Sequence, residues 1–209
     1  AYGPDHELPS ADVYTLGYWH FDSIDDNKVS DSSFNNYDAS VQGDPAQVDG
    51  LFNSSLQLDG NVDSLSTPEL VRTGTMVFSE VTIEAWVYLD QNYVSDRNRV
   101  IFAGGQDGRL ELGINVNRNA YVKVFADDIG TIQLSGEYEL NKFQWYHVTA
   151  VYSEQNDQMV LYINGEHDGS TSLPDLFQLS RSALVPNCIG SIASTSGCIA
   201  GNFIGLIDE

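Results

Sequence analysis

The chain has 209 residues, 42% of them hydrophobic, and thirty acidic residues against nine basic ones give it a formal net charge of −21. This length suits one domain with a real core, and the sequence lacks the run of roughly 18 apolar residues that a membrane-spanning helix needs. The acidity excludes most nucleic-acid and anionic-membrane partners, because like charges repel at phosphate surfaces. Either the surface is simply solvated and acidic, or some carboxylates bind a hard cation such as Ca²⁺.

Residues 1–12 carry two prolines and no hydrophobic period. They are predicted to be a tail or linker, and residues 13–209 the folded domain. The first residue is Ala1 rather than Met, which indicates that a signal peptide was removed or that the chain was cut from a longer parent. We therefore expect a secreted or cell-surface protein with further domains.

Alternation with a period of two is the main structural signal. In residues 81–88 (VTIEAWVY) aliphatic side chains occupy every second position, and polar or aromatic ones occupy the others. Side chains alternate across a strand, so this pattern predicts a strand with one aliphatic face. Similar runs predict strands at 14–21, 37–41, 55–59, 62–66, 81–88, 99–104, 109–116, 120–126, 131–135, 145–152, 159–163, 188–192 and 203–208.

Few signals compete with this all-β interpretation. Residues 174–179 are the one place where a short helix is plausible, and Asn164-Gly165 is a strong tight-turn signal because both residues tolerate positive φ. So many strands without crossover helices predict an all-β fold with two antiparallel sheets packed face to face, as a β-sandwich or jelly roll.

The three tryptophans, Trp19, Trp86 and Trp145, all lie within predicted strands. Packing in or beside the core is the ordinary role for such residues. Stacking on a sugar is the functional alternative, and it requires an exposed ring.

Two cysteines, Cys188 and Cys198, are separated by ten positions. The spacing favours a loop-closing disulfide, worth about 2–3 kcal/mol on a chain-entropy estimate, and with it an oxidising compartment. Two buried thiols or a metal pair are the alternatives, although no C-x-x-C pattern or nearby histidine supports a metal.

Five motifs follow one another along the chain, at 19–22 with 31–37, at 50–60, at 82–87, at 145–152 with 161–165, and at 205–209. Their sequences are WHFD with DSSFNNY, GLFNSSLQLDG, TIEAWV, WYHVTAVY with LYING, and GLIDE. Together they resemble the laminin G-like, concanavalin A-like jelly-roll family of surface proteins and carbohydrate-active enzymes. The resemblance runs from about residue 16 to residue 209. In that family a further strand usually follows the final Asp-Glu pair, so we expect the natural protein to continue past Glu209.

The resemblance also implies a structural Ca²⁺ where the opening and closing segments meet. Carried over by motif, the candidate ligands are Asp22, Asp59 and Asp208, with the Asp31/Asn36 loop and backbone carbonyls as helpers. Ca²⁺ binds six to eight oxygens, which acidic turns supply. Alternatively, Asp22 and Asp208 bond backbone amides at strand ends. No EF-hand loop is present.

Catalytic motifs are weakly represented. A glycosidase needs two carboxylates flanking the scissile bond, and the E-x-D-x-x-E strand of laminarinase-like enzymes is missing, as are the strands typical of alginate lyases. The sequence also lacks a G-x-S-x-G elbow and an H-E-x-x-H helix. His20 and His147 lie in the family's strand motifs, where a structural role is expected. We therefore predict a non-enzyme.

A candidate ligand site falls in the loop at 90–98 (DQNYVSDRN). Tyr93 could stack on a sugar ring, while Arg97 and Arg99 could pair with a carboxylate or sulfate. An ordinary solvated loop is the alternative, and the loops at 117–119 and 194–197 are weaker candidates of the same kind. Asn53 begins a glycosylation sequon, which is weak evidence.

Fold alone predicts function poorly. The favoured hypothesis is a secreted, non-catalytic recognition or adhesion domain, stabilised by calcium, that binds carbohydrate, a cell-surface glycan or a protein partner. A structural spacer without a ligand is the second hypothesis, and a polysaccharide-degrading enzyme is the third.

Overall fold

The architecture was obtained as a computed structural model, which describes residues 10–68, 79–105, 109–175, 177–179, 186–194, 196–200 and 202–209. The predicted tail at 1–12 falls mostly outside these residues, and 10–12 carry no regular structure. Within the described part of the chain, no helix is long and apolar enough to cross a bilayer.

Seventeen strands run through the described residues. They are β1 (Lys28–Val29), β2 (Ala39–Gln42), β3 (Ala46–Asp49), β4 (Ser54–Asp59), β5 (Ser64–Thr67), β6 (Glu80–Tyr88), β7 (Arg99–Gly104), β8 (Leu110–Ile114), β9 (Asn119–Ala126), β10 (Gly130–Glu139), β11 (Trp145–Ser153), β12 (Gln158–Ile163), β13 (Glu166–Ser172), β14 (Asn187–Ile189), β15 (Ile192–Ser194), β16 (Gly197–Ala200) and β17 (Ile204–Asp208).

These strands form two large antiparallel sheets. The eight-stranded sheet has the order β1-β2-β5-β14-β7-β8-β9-β10, and the seven-stranded sheet has the order β13-β12-β11-β6-β17-β4-β3. The hairpin of β15 and β16 forms a small third sheet and packs against β5, β7 and β14. The predicted all-β sandwich is confirmed.

Aliphatic and aromatic side chains from the inner faces of both sheets form one core. Leu112, Val122 and Val124 come from the eight-stranded sheet, and Val87 and Val148 come from the seven-stranded sheet. On β6 and β11 every second residue points into this core, as the period-two pattern predicts. The residues between them face outward, and this outer face carries the candidate site.

The predicted disulfide is confirmed. Cys188 on β14 is bonded to Cys198 on β16, with their Cα atoms 5.7 Å apart. The bond lies in a second small apolar cluster with Val100, Ala103 and Ala193. It therefore fastens the β15–β16 hairpin to the eight-stranded sheet.

The strand predicted at 14–21 is wrong. Trp19 and Phe21 do point into the core, which explains the alternation. Phe21, however, has a φ of 60°, which interrupts extended backbone. The amide of Tyr18 donates to the Asp31 carboxylate at 2.8 Å instead of to a neighbouring strand.

The helix predicted at 174–179 is also wrong for the residues described there. The Phe177 amide donates to the Pro174 carbonyl at 3.0 Å, which closes a single turn. Phe177 is buried, and its ring lies 6.2 Å from that of Tyr152. Apolar anchoring of a loop therefore produced the pattern that suggested a helix.

Candidate functional site

Two neighbouring strands in the middle of the seven-stranded sheet present aromatic rings to the outside. We call Trp86 and Tyr88 on β6, with Trp145 and His147 on β11, the aromatic face. The antiparallel register places Trp86 opposite His147 and Tyr88 opposite Trp145. The four side chains are partly exposed. The inward neighbours on both strands are buried, so the aromatic face has a rigid foundation.

The rings of the aromatic face form two rows across the strands. In one row the ring centroids of Trp86 and His147 are 5.0 Å apart, and Phe52 lies 6.0 Å from Trp86 on the other side. In the other row Tyr88 and Trp145 are 5.4 Å apart. The ring planes are inclined by 35° and 49° within the two rows, so they make an uneven aromatic platform on which the planar face of a sugar can cover a single ring.

Polar groups border this platform. The His147 Nε2 atom lies 3.6 Å from an oxygen of Glu84, whose side chain is half exposed on β6. Burial lowers the pKa of His147, and the charge of Glu84 partly opposes that effect. The imidazole and the neighbouring carboxylate together offer hydrogen-bond donors and acceptors to a hydroxylated ligand.

A second polar group lies beyond Trp86, around the end of β17. Asp208 pairs with Trp86 in the sheet register, and its side chain is buried. One Asp208 oxygen accepts hydrogen bonds from the amides of Leu51 and Phe52, at 2.8 and 3.0 Å, and the other is buried without a partner among the described residues. Burial raises the pKa of Asp208 to about 6, although the two amide bonds act against this.

Glu209 follows Asp208 and is held by two rings. The Tyr18 hydroxyl donates to one Glu209 oxygen, and His20 Nδ1 lies 3.0 Å from the other. The rings of Tyr18 and His20 are themselves 4.3 Å apart. Burial and the hydrogen bond to Glu209 raise the pKa of Tyr18. These contacts fasten the segment before β1 to the end of β17.

The structure separates the predicted calcium ligands. Asp22 accepts from the Ser54 amide at 3.0 Å and from Asn53 at 3.2 Å, so it holds the same 50–54 turn as Asp208. Asp59 instead pairs with Ile204 at the opposite end of β17, where it accepts from Asn61. Asp22 and Asp208 therefore belong to one region, and Asp59 belongs to another.

The predicted helper loop is occupied by its own hydrogen bonds. Asp31 accepts from the amides of Tyr18, Ser33 and Tyr37, and Asn36 has a φ of 56° in the turn that brings Tyr37 back. Among the described residues no group of three or more His, Cys, Asp or Glu side chains could hold a metal ion. The arrangement matches the alternative in which these aspartates bond backbone amides.

The ligand site predicted in the 90–98 loop needs correction. Tyr93 is buried in the core with its ring 6.5 Å from Phe203, so it cannot stack on a sugar from solvent. Arg99 is also buried, and it is held by the carbonyls of Val94 and Asn202 and by Asp96. Arg97 is exposed and pairs with Asp96 at 3.2 Å. Only Arg97 of the three remains available to a ligand.

The two weaker loop candidates are ordinary turns. Asn115 accepts from the amides of Asn117 and Asn119, which closes the first turn. In the second, the Ser194 hydroxyl donates to the Gly197 carbonyl at 3.0 Å, and residue 195 lies outside the described residues. Neither turn presents an aromatic ring.

Sequence reasoning missed the aromatic face as a unit, although it named the two tryptophans. Period-two alternation was the available signal, because Trp86 and Trp145 fall on the phase opposite to the buried aliphatic residues. Trp19, in contrast, is buried in the core, and its Nε1 donates to the Tyr37 carbonyl.

Comparison with known proteins identifies the family. The laminin G profile of the concanavalin A-like lectin/glucanases superfamily matches residues 59–209, well over half of the chain. The chain belongs to this superfamily. No curated protein sequence matches the chain at a significant level.

Solved structures with a similar fold include several binding domains. The binding domain of Paraclostridial Mosquitocidal Protein 1 has a TM-score of 0.68 at 18% identity, with 92% of this chain and 47% of that chain covered. The binding domain of botulinum neurotoxin serotype G has a TM-score of 0.65 at 15% identity, with 89% and 45% covered. This chain therefore spans about half the length of these toxin chains.

A third similar structure is a smaller domain. Domain 4 of AbnA, an extracellular arabinanase from Geobacillus stearothermophilus, was solved in complex with arabinotriose. It has a TM-score of 0.64 at 18% identity, with 92% of this chain and 88% of that chain covered. Identities this low establish a common fold, and a common fold does not establish a common function.

Proposed function

We propose that this domain binds carbohydrate on the aromatic face, as a non-catalytic recognition domain of an extracellular protein. The observation that carries the proposal is the outward display of Trp86, Tyr88, Trp145 and His147 on two rigid neighbouring strands, with Glu84 beside them. Rings stack on the apolar faces of sugars, while carboxylate and imidazole groups bond their hydroxyls.

The relatives support this kind of function. Two similar structures are binding domains of toxins, and a third was solved with a bound arabinose oligosaccharide. The sandwich fold thus serves ligand binding in proteins of similar shape. A disulfide in the described structure agrees with an oxidising compartment, and so supports secretion or display at a cell surface.

Calcium stabilisation stays a prediction. Asp22 and Asp208 hold the same turn, and the unpartnered oxygen of Asp208 is the one feature that favours a cation there. Asp59 does not fit that site, because it lies at the other end of β17. The described side chains therefore supply fewer acidic ligands than Ca²⁺ prefers.

The test of the proposed function is binding to a panel of soluble polysaccharides, followed by titration of any that bind. Trp145→Ala removes a ring from the aromatic face without touching the core. We expect its association constant to fall roughly tenfold or more, as happens when an aromatic anchor of a binding site is truncated.

Tyr14→Ala is the matched control, because Tyr14 is a strongly exposed aromatic residue in the segment before β1, outside both sheets. It should bind as the natural chain does, and near-UV circular dichroism should show that both variants are folded. If Trp145→Ala keeps full affinity for every bound polysaccharide, the aromatic face is not the site. If the natural chain binds no polysaccharide of the panel, the result favours the hypothesis of a structural spacer without a ligand.

A further inference from the structure

We infer that the aromatic face selects uncharged carbohydrate chains and rejects anionic ones such as uronate or sulfate polymers. This inference rests on the proposed function and names the ligand class. The observation behind it is the distribution of charge over the seven-stranded sheet, whose strands carry acidic residues and no basic ones.

The seven strands of this sheet contain no lysine and no arginine, and all of their residues are described. They contain seven acidic residues, namely Asp49, Asp59, Glu80, Glu84, Glu166, Asp168 and Asp208. A bound carboxylate or sulfate would thus meet like charge here and no strand-borne partner. Recognition of such groups ordinarily uses arginine or lysine.

The described residues include seven lysines and arginines, and none of the seven lies on this sheet. Lys142, three residues before Trp145, donates to the carbonyls of Tyr93 and Gln91. Five of the seven pair with carboxylates on other elements, namely Arg97, Arg99, Arg109, Arg118 and Lys123. Lys123 on β9, for example, lies 2.6 Å from the buried Glu111 of the eight-stranded sheet. The pairs of Arg109, Arg118 and Lys123 neutralise charge on the eight-stranded sheet and its turns, and Arg97 and Arg99 share Asp96 in the loop after β6, so the strands of the seven-stranded sheet stay acidic.

A cationic ligand is the other chemistry that an acidic, aromatic surface suggests. Two of the carboxylates near the rings, however, already have partners. Glu209 is bonded by Tyr18 and His20, and one oxygen of Asp208 accepts two backbone amides. Glu84 is then the half-exposed carboxylate beside the rings, and a single carboxylate repels an anionic chain without forming the multi-sided anionic cage that a cationic ligand needs. An uncharged polyol is therefore the better match.

The experiment compares polysaccharides that share a backbone and differ in charge. Arabinan and mixed-linkage glucan are titrated beside their carboxymethyl derivatives, with chitosan as the cationic probe. We expect the uncharged polymers to bind and the carboxymethyl forms to bind roughly tenfold more weakly at low salt. The difference should shrink at about 0.5 M salt, where the screening length falls to a few ångströms.

Glu84→Gln tests whether the discrimination is local. It should reduce the preference for the uncharged polymer, because Glu84 borders the rings. Glu80→Gln is the matched control: it removes the same charge from β6, four residues earlier and thus about 13 Å along the strand. An equal effect of both variants would mean that net charge, and not the aromatic face, sets the preference.

Equal or tighter binding of the carboxymethyl polymers or of chitosan would overturn the inference and leave the proposed function standing. Absence of binding to every polymer, charged or uncharged, would instead overturn the proposed function itself. The two failures are therefore distinguishable within one set of titrations.

Discussion

Asp208 is the most constrained acidic residue near the aromatic face, because it is buried with one oxygen bonded to two amides and the other unpartnered. Burial raises its pKa from 3.8 to about 6. Between these values the folded protein holds a proton that the unfolded chain has released. The contribution of Asp208 to stability is therefore greatest below about pH 4 and is lost as the pH rises through 6.

Asp208→Asn should remove this dependence, since an amide stays uncharged while its oxygen still accepts from Leu51 and Phe52. The free energy of unfolding of the variant, relative to the natural chain, should rise by about 2–3 kcal/mol between pH 4 and pH 7. Urea unfolding at intervals of one pH unit measures it. Asp49→Asn, at an exposed position on β3, is the control. Parallel curves for all three proteins would contradict the prediction.

For single residues, the sequence predicted which side chains are buried better than it predicted which side chains form the candidate ligand site. Alternation correctly separated the outward Trp86 and Trp145 from buried aliphatic neighbours. It failed for Tyr93, whose loop composition suggests exposure but whose ring fills space beside Phe203. Loop residues have no period from which burial can be inferred, so tertiary packing alone decides their position.

Among the elements, the edge strands β10 and β13 contact each other and close one side of the sandwich. The register of β10 is irregular between Ser135 and Glu139, and this bulge faces Asp168 of β13. One oxygen of Asp168 accepts from the amides of Glu137 and Tyr138, at 3.1 and 2.7 Å. A Cβ at Gly136 would lie 1.8 Å from the other oxygen, so glycine is needed for this approach.

Asp168→Ala should free both amides and destabilise the protein by about 1 kcal/mol, because water can partly replace the lost acceptor at this exposed edge. Hydrogen exchange should quicken at Glu137 and Tyr138 more than at β11. Asp168→Asn keeps an acceptor oxygen, so its exchange rates at these amides should lie between those of the natural chain and of Asp168→Ala. Unchanged exchange at both amides in Asp168→Ala would show that the contact does not hold the edge.

Burial of one face made most strands predictable, although residues 14–21 show that a segment can bury Trp19 and Phe21 in alternation and still not form a strand. The strands β6, β11 and β12 follow the predicted ranges closely, because their inward residues line the core. No such pattern predicts β13, since its residues are nearly all polar and it lies at an edge. Its existence follows only from the turn at Asn164-Gly165, where both residues have positive φ as predicted.

For the whole molecule, the Cys188–Cys198 disulfide fastens the hairpin of β15 and β16 to the eight-stranded sheet. Replacing both cysteines with alanine should lower the free energy of unfolding by about 2–3 kcal/mol, the chain-entropy value for a loop of this length. Chemical unfolding of the variant and of the natural chain, each with and without reductant, measures the loss. A natural chain that is as stable in reductant would contradict the prediction, provided that mass analysis shows reduction.

Calcium is best tested on the whole molecule too, since the net charge of −21 makes any salt stabilising through screening. If the predicted ion binds, millimolar Ca²⁺ should raise the melting temperature above that in NaCl of equal ionic strength, and a chelator should reverse the gain. Asp22→Asn should abolish the difference. Equal melting temperatures in the two salts would contradict the prediction that calcium stabilises this domain.

The position of β17 has a consequence for biosynthesis. This strand lies between β6 and β4 in the seven-stranded sheet, and its Asp208 bonds the Leu51 amide across 157 residues of chain. At ribosomal rates of about 5–20 residues per second, β4 waits on the order of ten to thirty seconds for its neighbour. Until β17 has been synthesised, the seven-stranded sheet has a gap between β6 and β4, and the sandwich cannot be completed. The edges of β4 and β6 therefore stay exposed until residues 204–208 have been made, and exposed strand edges of this kind are prone to pair with other chains.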